Sequence, residues 1–177
     1  TQMLKPRNVI EKLFNSHFDK EEKEKYLATA SNSDRRRTHK ILHAQGAVDN
    51  EVFNIMMNNS YMTPHMHPSE EKVEYIYLIE GLLDMLLFSD DGSIISRQCL
   101  NPKGKICSFT VPSYTWHGYV VTSDYAITFE TMKGVYSEET WKTLAPWAPK
   151  ENSADAQEYL LALKNNFATT ANTRHGS

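Results

Sequence analysis

The chain has 177 residues, a length that suits one compact domain with helical extensions and excludes two full catalytic domains. Hydrophobic residues make up 40%, charged residues 23% and aromatic residues 11%, which excludes a wholly disordered chain. Nineteen lysines and arginines against 22 acidic residues leave a formal charge of -3, so there is no global basic field to hold DNA or another polyanion.

The segment Thr1-Gln2-Met3-Leu4-Lys5-Pro6 lacks the apolar stretch of a signal peptide. No uncharged apolar run approaches the roughly 18 residues needed to span a bilayer. The expectation is a cytoplasmic protein that engages neither nucleic acid nor membrane. Val9, Ile10, Leu13, Phe14, His17 and Phe18 recur at steps of three and four, which predicts one amphipathic N-terminal helix ended by Ser31-Asn32-Ser33-Asp34. From Thr38 to about Met132 short β-rich runs alternate with turn signals at Asp90-Asp91-Gly92, at 101–104 and at Ser123-Asp124, so a sandwich or barrel is expected. The clearest hairpin joins 73–88 to 94–100 through Asp91-Gly92, residues that tolerate positive φ. Cys99 and Cys107 are too few for a disulfide framework and are expected as small hydrophobes in strands. The prolines of Ala145-Pro146-Trp147-Ala148-Pro149 exclude a strand interior. Tyr159, Leu160, Leu161, Leu163 and Phe167 predict a C-terminal helix packed on the domain or on another subunit, followed by a frayed tail of about ten residues. The expected division is a helical extension over 1–34, a β domain over 35–151, and a C-terminal helix and tail over 152–177.

The chemistry concentrates in three histidines. His65 and His67 are two apart in a segment leading toward strands, so in extended geometry both imidazoles leave the same face while Met66 points the other way. Glu74 lies in the apolar run 73–79, where a carboxylate is out of character unless something neutralises it. His117 follows Pro112-Ser113-Tyr114-Thr115-Trp116 and opens another strand-like run. Three imidazoles and a carboxylate suit one divalent transition metal ion, whether Fe, Mn, Ni, Co, Cu or Zn.

These residues resemble the cupin superfamily, whose first motif is HxH, then Glu, then Gly after six intervening residues, matched here by His65, His67, Glu74 and Gly81. Its second motif sets a proline before a histidine, matched by Pro112 and His117. The segments 35–43, 64–68, 112–117 and 145–149 look like the WbuC family of cupin-fold metalloproteins, a likeness covering about 35–151. The resemblance implies an all-β, single-domain double-stranded β-helix, or jelly roll, with terminal helices. It also implies a mononuclear metal in the barrel mouth and an association with bacterial surface-polysaccharide biosynthesis. Two departures stand out. The gap from His67 to Glu74 is longer than usual, which makes Glu71 a competing ligand, although Glu74 keeps the spacing to Gly81. Tyr114 and Val121 replace the second motif's glycine and asparagine.

Arg37, His39, Ile41 and His43 share one strand face, and an Arg-His-His line near a metal suits an anionic substrate such as a sugar derivative. The competing reading is that the arginines at 35–37 meet the negative end of the preceding helix. Tyr61, Tyr114 and Trp116 are candidate pocket walls by proximity to the motifs, and His43 is the candidate general base. The expected function is a metal-dependent enzyme acting on a small polar molecule such as an activated sugar or sugar acid. Its chemistry would be isomerase- or epimerase-like, or oxygenase-like with iron. The alternative is a non-catalytic sugar-binding or regulatory cupin. A homodimer is expected, with the terminal segments covering sheet edges or forming the contact.

Overall fold

The computed structural model describes residues 5–166. Two helices come first, α1 (Arg7–His17) and α2 (Lys20–Asn32). Ten strands follow: β1 (Arg37–Ile41), β2 (Asp49–Met57), β3 (His65–Met66), β4 (Glu74–Glu80), β5 (Leu83–Phe88), β6 (Ile94–Leu100), β7 (Ser108–Val111), β8 (His117–Val121), β9 (Tyr125–Lys133) and β10 (Thr143–Leu144). Helix α3 (Ala156–Asn165) closes the described chain. Phe167 and the tail expected to fray lie outside the described residues. The strands form two antiparallel five-stranded sheets, β1-β2-β9-β4-β7 and β10-β3-β8-β5-β6, the layered architecture of a jelly roll.

The single N-terminal helix expected from the periodicity is two helices. Phe18 leaves α1 in extended geometry, and the Asp19 carboxylate accepts the Glu22 N–H at 2.7 Å, starting α2 afresh. A capping aspartate followed three residues later by glutamate was a stop-and-start signal inside the apolar stripe.

Both helices cover the outer face of the first sheet. Alternation along β2 turns Phe53 and Ile55 outward, where Ile10, Phe14, Phe18 and Ala30 bury them with Tyr77, Ile127 and Phe129. Helix α3 covers the second sheet in the same way, setting Ala156, Leu160 and Leu163 on Leu86, Phe88 and Val120. Between the sheets Met56, Ile76, Leu78, Leu83, Met85 and Val121 form the inner core. The terminal segments therefore act as covers within one chain. No helix among the described residues is long and apolar enough to cross a membrane.

The apolar run 73–88 is likewise not one hairpin arm. It divides at Gly81 into β4 of the first sheet and β5 of the second, so only Leu83–Phe88 pairs with Ile94–Leu100. Gly81 has φ +87°, and a Cβ there would lie 2.1 Å from the Tyr125 carbonyl oxygen. The chain can change sheets here because the residue has no side chain. Gly81→Ala is expected to cost at least about 2 kcal/mol in urea denaturation; an unchanged midpoint would refute the close approach. At the hairpin tip Gly92 has φ +90°, and Asp91 accepts the Ser93 N–H at 2.9 Å, as the turn reading required.

Cys99 is exposed on β6, where alternation turns Leu100 inward, and half-buried Cys107 sits just before β7 rather than within a strand. Arg97 ties the hairpin to α3. It pairs with Asp84 at 2.7 Å and donates to the Leu163 carbonyl at 2.6 Å, satisfying a helix-end acceptor. Both side chains are nearly buried, so Arg97→Ala, which strands the Asp84 charge, is expected to destabilise by about 3 kcal/mol. Amide exchange should then show α3 losing protection first.

Candidate metal centre

The three histidines reach one point because β3 and β8 are neighbours in register, with His65 directly opposite His117. His67 follows β3 on the same face as His65. Ring centroids lie 4.4 Å apart for His65 and His117, 5.1 Å for His65 and His67, and 5.3 Å for His67 and His117. One ligand atom from each ring falls within 4.8 Å of the others, and all three residues are buried. Glu74 comes from the facing sheet, where it opens β4 opposite Val111. Its Oε2 lies 3.2 Å from Nε2 of both His67 and His117.

Each ring is held by its other nitrogen. Nδ1 of His65 meets the Thr63 carbonyl at 3.0 Å, Nδ1 of His67 meets that of Trp141 at 2.9 Å, and Nδ1 of His117 meets that of Thr115 at 2.9 Å. A carbonyl only accepts, so each Nδ1 carries the proton, and in the neutral ring Nε2 keeps its lone pair. Lone pairs on His67 and His117 thus face a carboxylate oxygen whose side chain is only 13% exposed. That arrangement is repulsive for neutral rings and favourable around a cation. Backbone carbonyls fixing the outer nitrogen are the usual support of a metal-ligating imidazole. Burial, then the neighbouring His117, Lys142 and His67, hold the His65 imidazole well below its usual range, in the neutral form a metal needs. Three nitrogen donors and one anionic oxygen fit a divalent transition metal. Glu71, the competing carboxylate, is exposed in the turn before β4 and lies beside Gly134 rather than in this cluster.

The cluster opens into a cavity of about 570 Å³ between the sheets. Arg37 and His39 of β1, and His43 just beyond it, all line the cavity. Arg37 is nevertheless occupied, with Nη2 2.6 Å from Glu151 Oε1 and the side chain 9% exposed. Arg36 donates to the Ser31 carbonyl in the last turn of α2, so the helix-end reading applies to that arginine. Burial, then Arg37 and Arg35, lower the His39 pKa. His43 stays outside the three-histidine group, and its Nδ1 accepts the Glu51 N–H at 3.0 Å.

The expected aromatic walls are placed elsewhere, since Tyr61, Tyr114 and Trp116 do not line the cavity. Trp116 precedes His117 and faces the opposite side of the sheet, where it packs against Trp147 and donates to Asp90 at 3.0 Å. Tyr61 is buried against Tyr159 and donates to the Pro149 carbonyl. Tyr114 is 56% exposed with φ +56°, so it occupies in strained form the left-handed position where the cupin motif has glycine. Two lining residues escaped the sequence reading. Glu130 receives hydrogen bonds from Asn54 and Thr128, and burial, then the Glu74 charge, push its carboxyl well above the usual range. Its signal was present, because an acidic residue inside the apolar run 126–132 is the same anomaly that singled out Glu74. Lys142 lies in an irregular segment without such a pattern.

Two five-stranded sheets around a histidine-rich pocket make this a mostly-β jelly roll with terminal helices, a fold shared with solved cupin-domain structures. An oxalate oxidase, determined with the substrate analogue glycolate, shares the fold at a TM-score of 0.51 and 11% identity, over 66% of this chain and 58% of that one. A cupin-2 domain protein from Rhodospirillum rubrum matches at a TM-score of 0.47 and 12% identity over 71% and 72% of the two chains. KdgF from Halomonas sp. matches at 0.45 and 19% over 58% and 82%. Residues 18–100 match a family described only as a domain of unknown function, DUF6016. No curated protein sequence matches significantly.

Proposed function

We propose that this chain is a cupin metalloenzyme that holds one divalent ion (Fe, Mn, Ni, Co, Cu or Zn) on His65, His67, Glu74 and His117 and acts on a small polar molecule such as an activated sugar or sugar acid. The observation that carries the reading is the convergence of three buried imidazoles and the Glu74 carboxylate on one point, with Nδ1 of each ring held by a backbone carbonyl. When bound, such an ion supplies Lewis acidity, which polarises a carbonyl or stabilises an enolate. Isomerisation or epimerisation suits that chemistry, and oxygenation is the iron version. The carbonyls of Thr63, Trp141 and Thr115 orient the ligands. The apolar wall of Val52, Ile76 and Leu83 limits water, and the Glu130 carboxyl is placed in the cavity to exchange a proton. Glu130 suits that task better than His43, whose Nδ1 already faces a backbone N–H. The motif likeness to the WbuC family supports a place in surface-polysaccharide biosynthesis.

The test is elemental analysis of the full chain after exposure to each ion, followed by incubation with sugar acids and nucleotide sugars in deuterated water. One equivalent of metal and deuterium incorporation at a carbon next to a carbonyl are expected of the isomerase version. Failure to retain any of the six ions would overturn the metal centre. Tight binding without isotope exchange or mass change would point instead to a sugar-binding or regulatory cupin.

A further inference from the structure

Two basic side chains line the cavity, Arg37 and Lys142, and they differ in how their charge is met. The Arg37 guanidinium is matched by Glu151 at 2.6 Å, and the same carboxylate takes Arg35 at 3.2 Å. Lys142 makes no hydrogen bond or ion pair among the described residues, and Glu151 and Glu74 act on it only from farther away. Burial pulls its pKa below the usual lysine range, as expected of an ammonium that has lost water without gaining a counter-ion. Its position is set by β10, which pairs with the ligand-bearing strand, Thr143 opposite Met66 and Leu144 opposite His65. The preceding residue, Trp141, supplies the carbonyl that holds His67. A half-buried cation is thus fixed beside the metal ligands and faces the same space.

We propose that Lys142 is the anion-recognition residue of this cavity, and that the molecule it selects is a small carboxylic acid whose carboxylate meets the Lys142 ammonium while a neighbouring oxygen faces the histidine centre. This rests on the metal reading above and narrows it from activated sugars to sugar acids and related hydroxy acids. A diphosphate needs several donors, usually a helix N-terminus, a glycine-rich nest or an arginine fork. Here the arginine is spent on Glu151, and the inner walls are Met56, Ile76, Leu83 and Met85. One ammonium matches the charge of one carboxylate. Apolar surroundings strengthen such a pair by lowering the local dielectric.

The experiment is calorimetric titration of the metal-loaded full chain with D-glucuronate, D-galacturonate and D-gluconate, each against its neutral parent D-glucose, D-galactose or D-glucitol, with UDP-glucose alongside. At least one acid should bind about tenfold or more tightly than its parent, equivalent to about 1.4 kcal/mol. That gap should vanish in Lys142→Met and persist in Lys142→Arg, with melting temperature and metal content unchanged in both. No preference for any acid in the wild type, or a preference that survives Lys142→Met, would overturn the assignment. Tighter binding of UDP-glucose that is indifferent to residue 142 would do the same. Metal content is read in the same samples. If the wild type holds no ion, the metal reading fails by that measurement, while the acid-to-neutral gap and its dependence on Lys142 are still decided on the metal-free chain.

Discussion

Alanine at His67 or at His117 is expected to weaken Co²⁺ or Zn²⁺ binding by at least about 100-fold, more than the 10- to 100-fold typical of losing an outer-sphere partner. Each substitution removes one nitrogen donor and one of the two rings that flank Glu74 Oε2 at 3.2 Å. Glu74→Gln should weaken binding to a similar degree, because it removes the only negative charge in the donor set and leaves the ion's charge uncompensated in a buried site. Glu71→Gln should leave the affinity within about twofold, since an exposed turn residue contributes little to a buried ion. Competition against a chromophoric chelator reads all four variants on one scale. A loss in Glu71→Gln with none in Glu74→Gln would transfer the carboxylate role to the turn. Stripping the ion should also lower the melting temperature, because a ligand that binds only the folded chain stabilises it by mass action.

Phe53→Ala is expected to cost about 3–5 kcal/mol in urea denaturation, the largest effect on stability from a single residue. Its side chain is 0% exposed, and its ring meets Phe14 at 5.8 Å, Phe18 at 5.3 Å and Phe129 at 5.1 Å. A cavity there would lie between the N-terminal helices and the first sheet, on the side of β2 facing away from the histidines. Metal stoichiometry measured well below the melting temperature should therefore be unchanged. A cost under about 1 kcal/mol would mean that α1 and α2 rest loosely on the sheet. A cost in the expected range makes residues 7–32 part of the folded unit, since without them Phe53, Ile55 and Phe129 would form an exposed apolar face.

Substitutions at the proposed metal site are expected to act on ion affinity, and those under the helices on stability. The two losses are separable because β2 sends alternate side chains to opposite faces, with Phe53 and Ile55 outward and Val52, Asn54 and Met56 lining the cavity.

That alternation also explains which features are legible in the amino-acid sequence. A spacing of two puts His65 and His67 on one face, and an acidic residue in an apolar run marks Glu74, because parity and burial cost are local properties of a strand. The mostly-β architecture follows from many short runs between turn signals. Parity says which residues share a face, but not whether that face turns inward. By sequence Trp116 is therefore as eligible as His117, and only closure of the sheets places it outside with Trp147. Tyr61 is drawn away to α3, a partner about a hundred residues later. The break at Gly81 depends on the approach of the Tyr125 carbonyl, a contact between segments remote in the chain. Pairing between distant charges is equally invisible, so Arg37 reads as a free anion site although Glu151 meets it across 114 positions. The sequence is sufficient for the shared face of His65 and His67, the anomalous carboxylate at Glu74 and the mostly-β class, since strand period and the cost of burying charge act over a few residues. Only the closed barrel decides which lining charges are already matched and which, like Lys142, have no partner among the described residues, because such partners come together only when the two sheets and their covering helices pack.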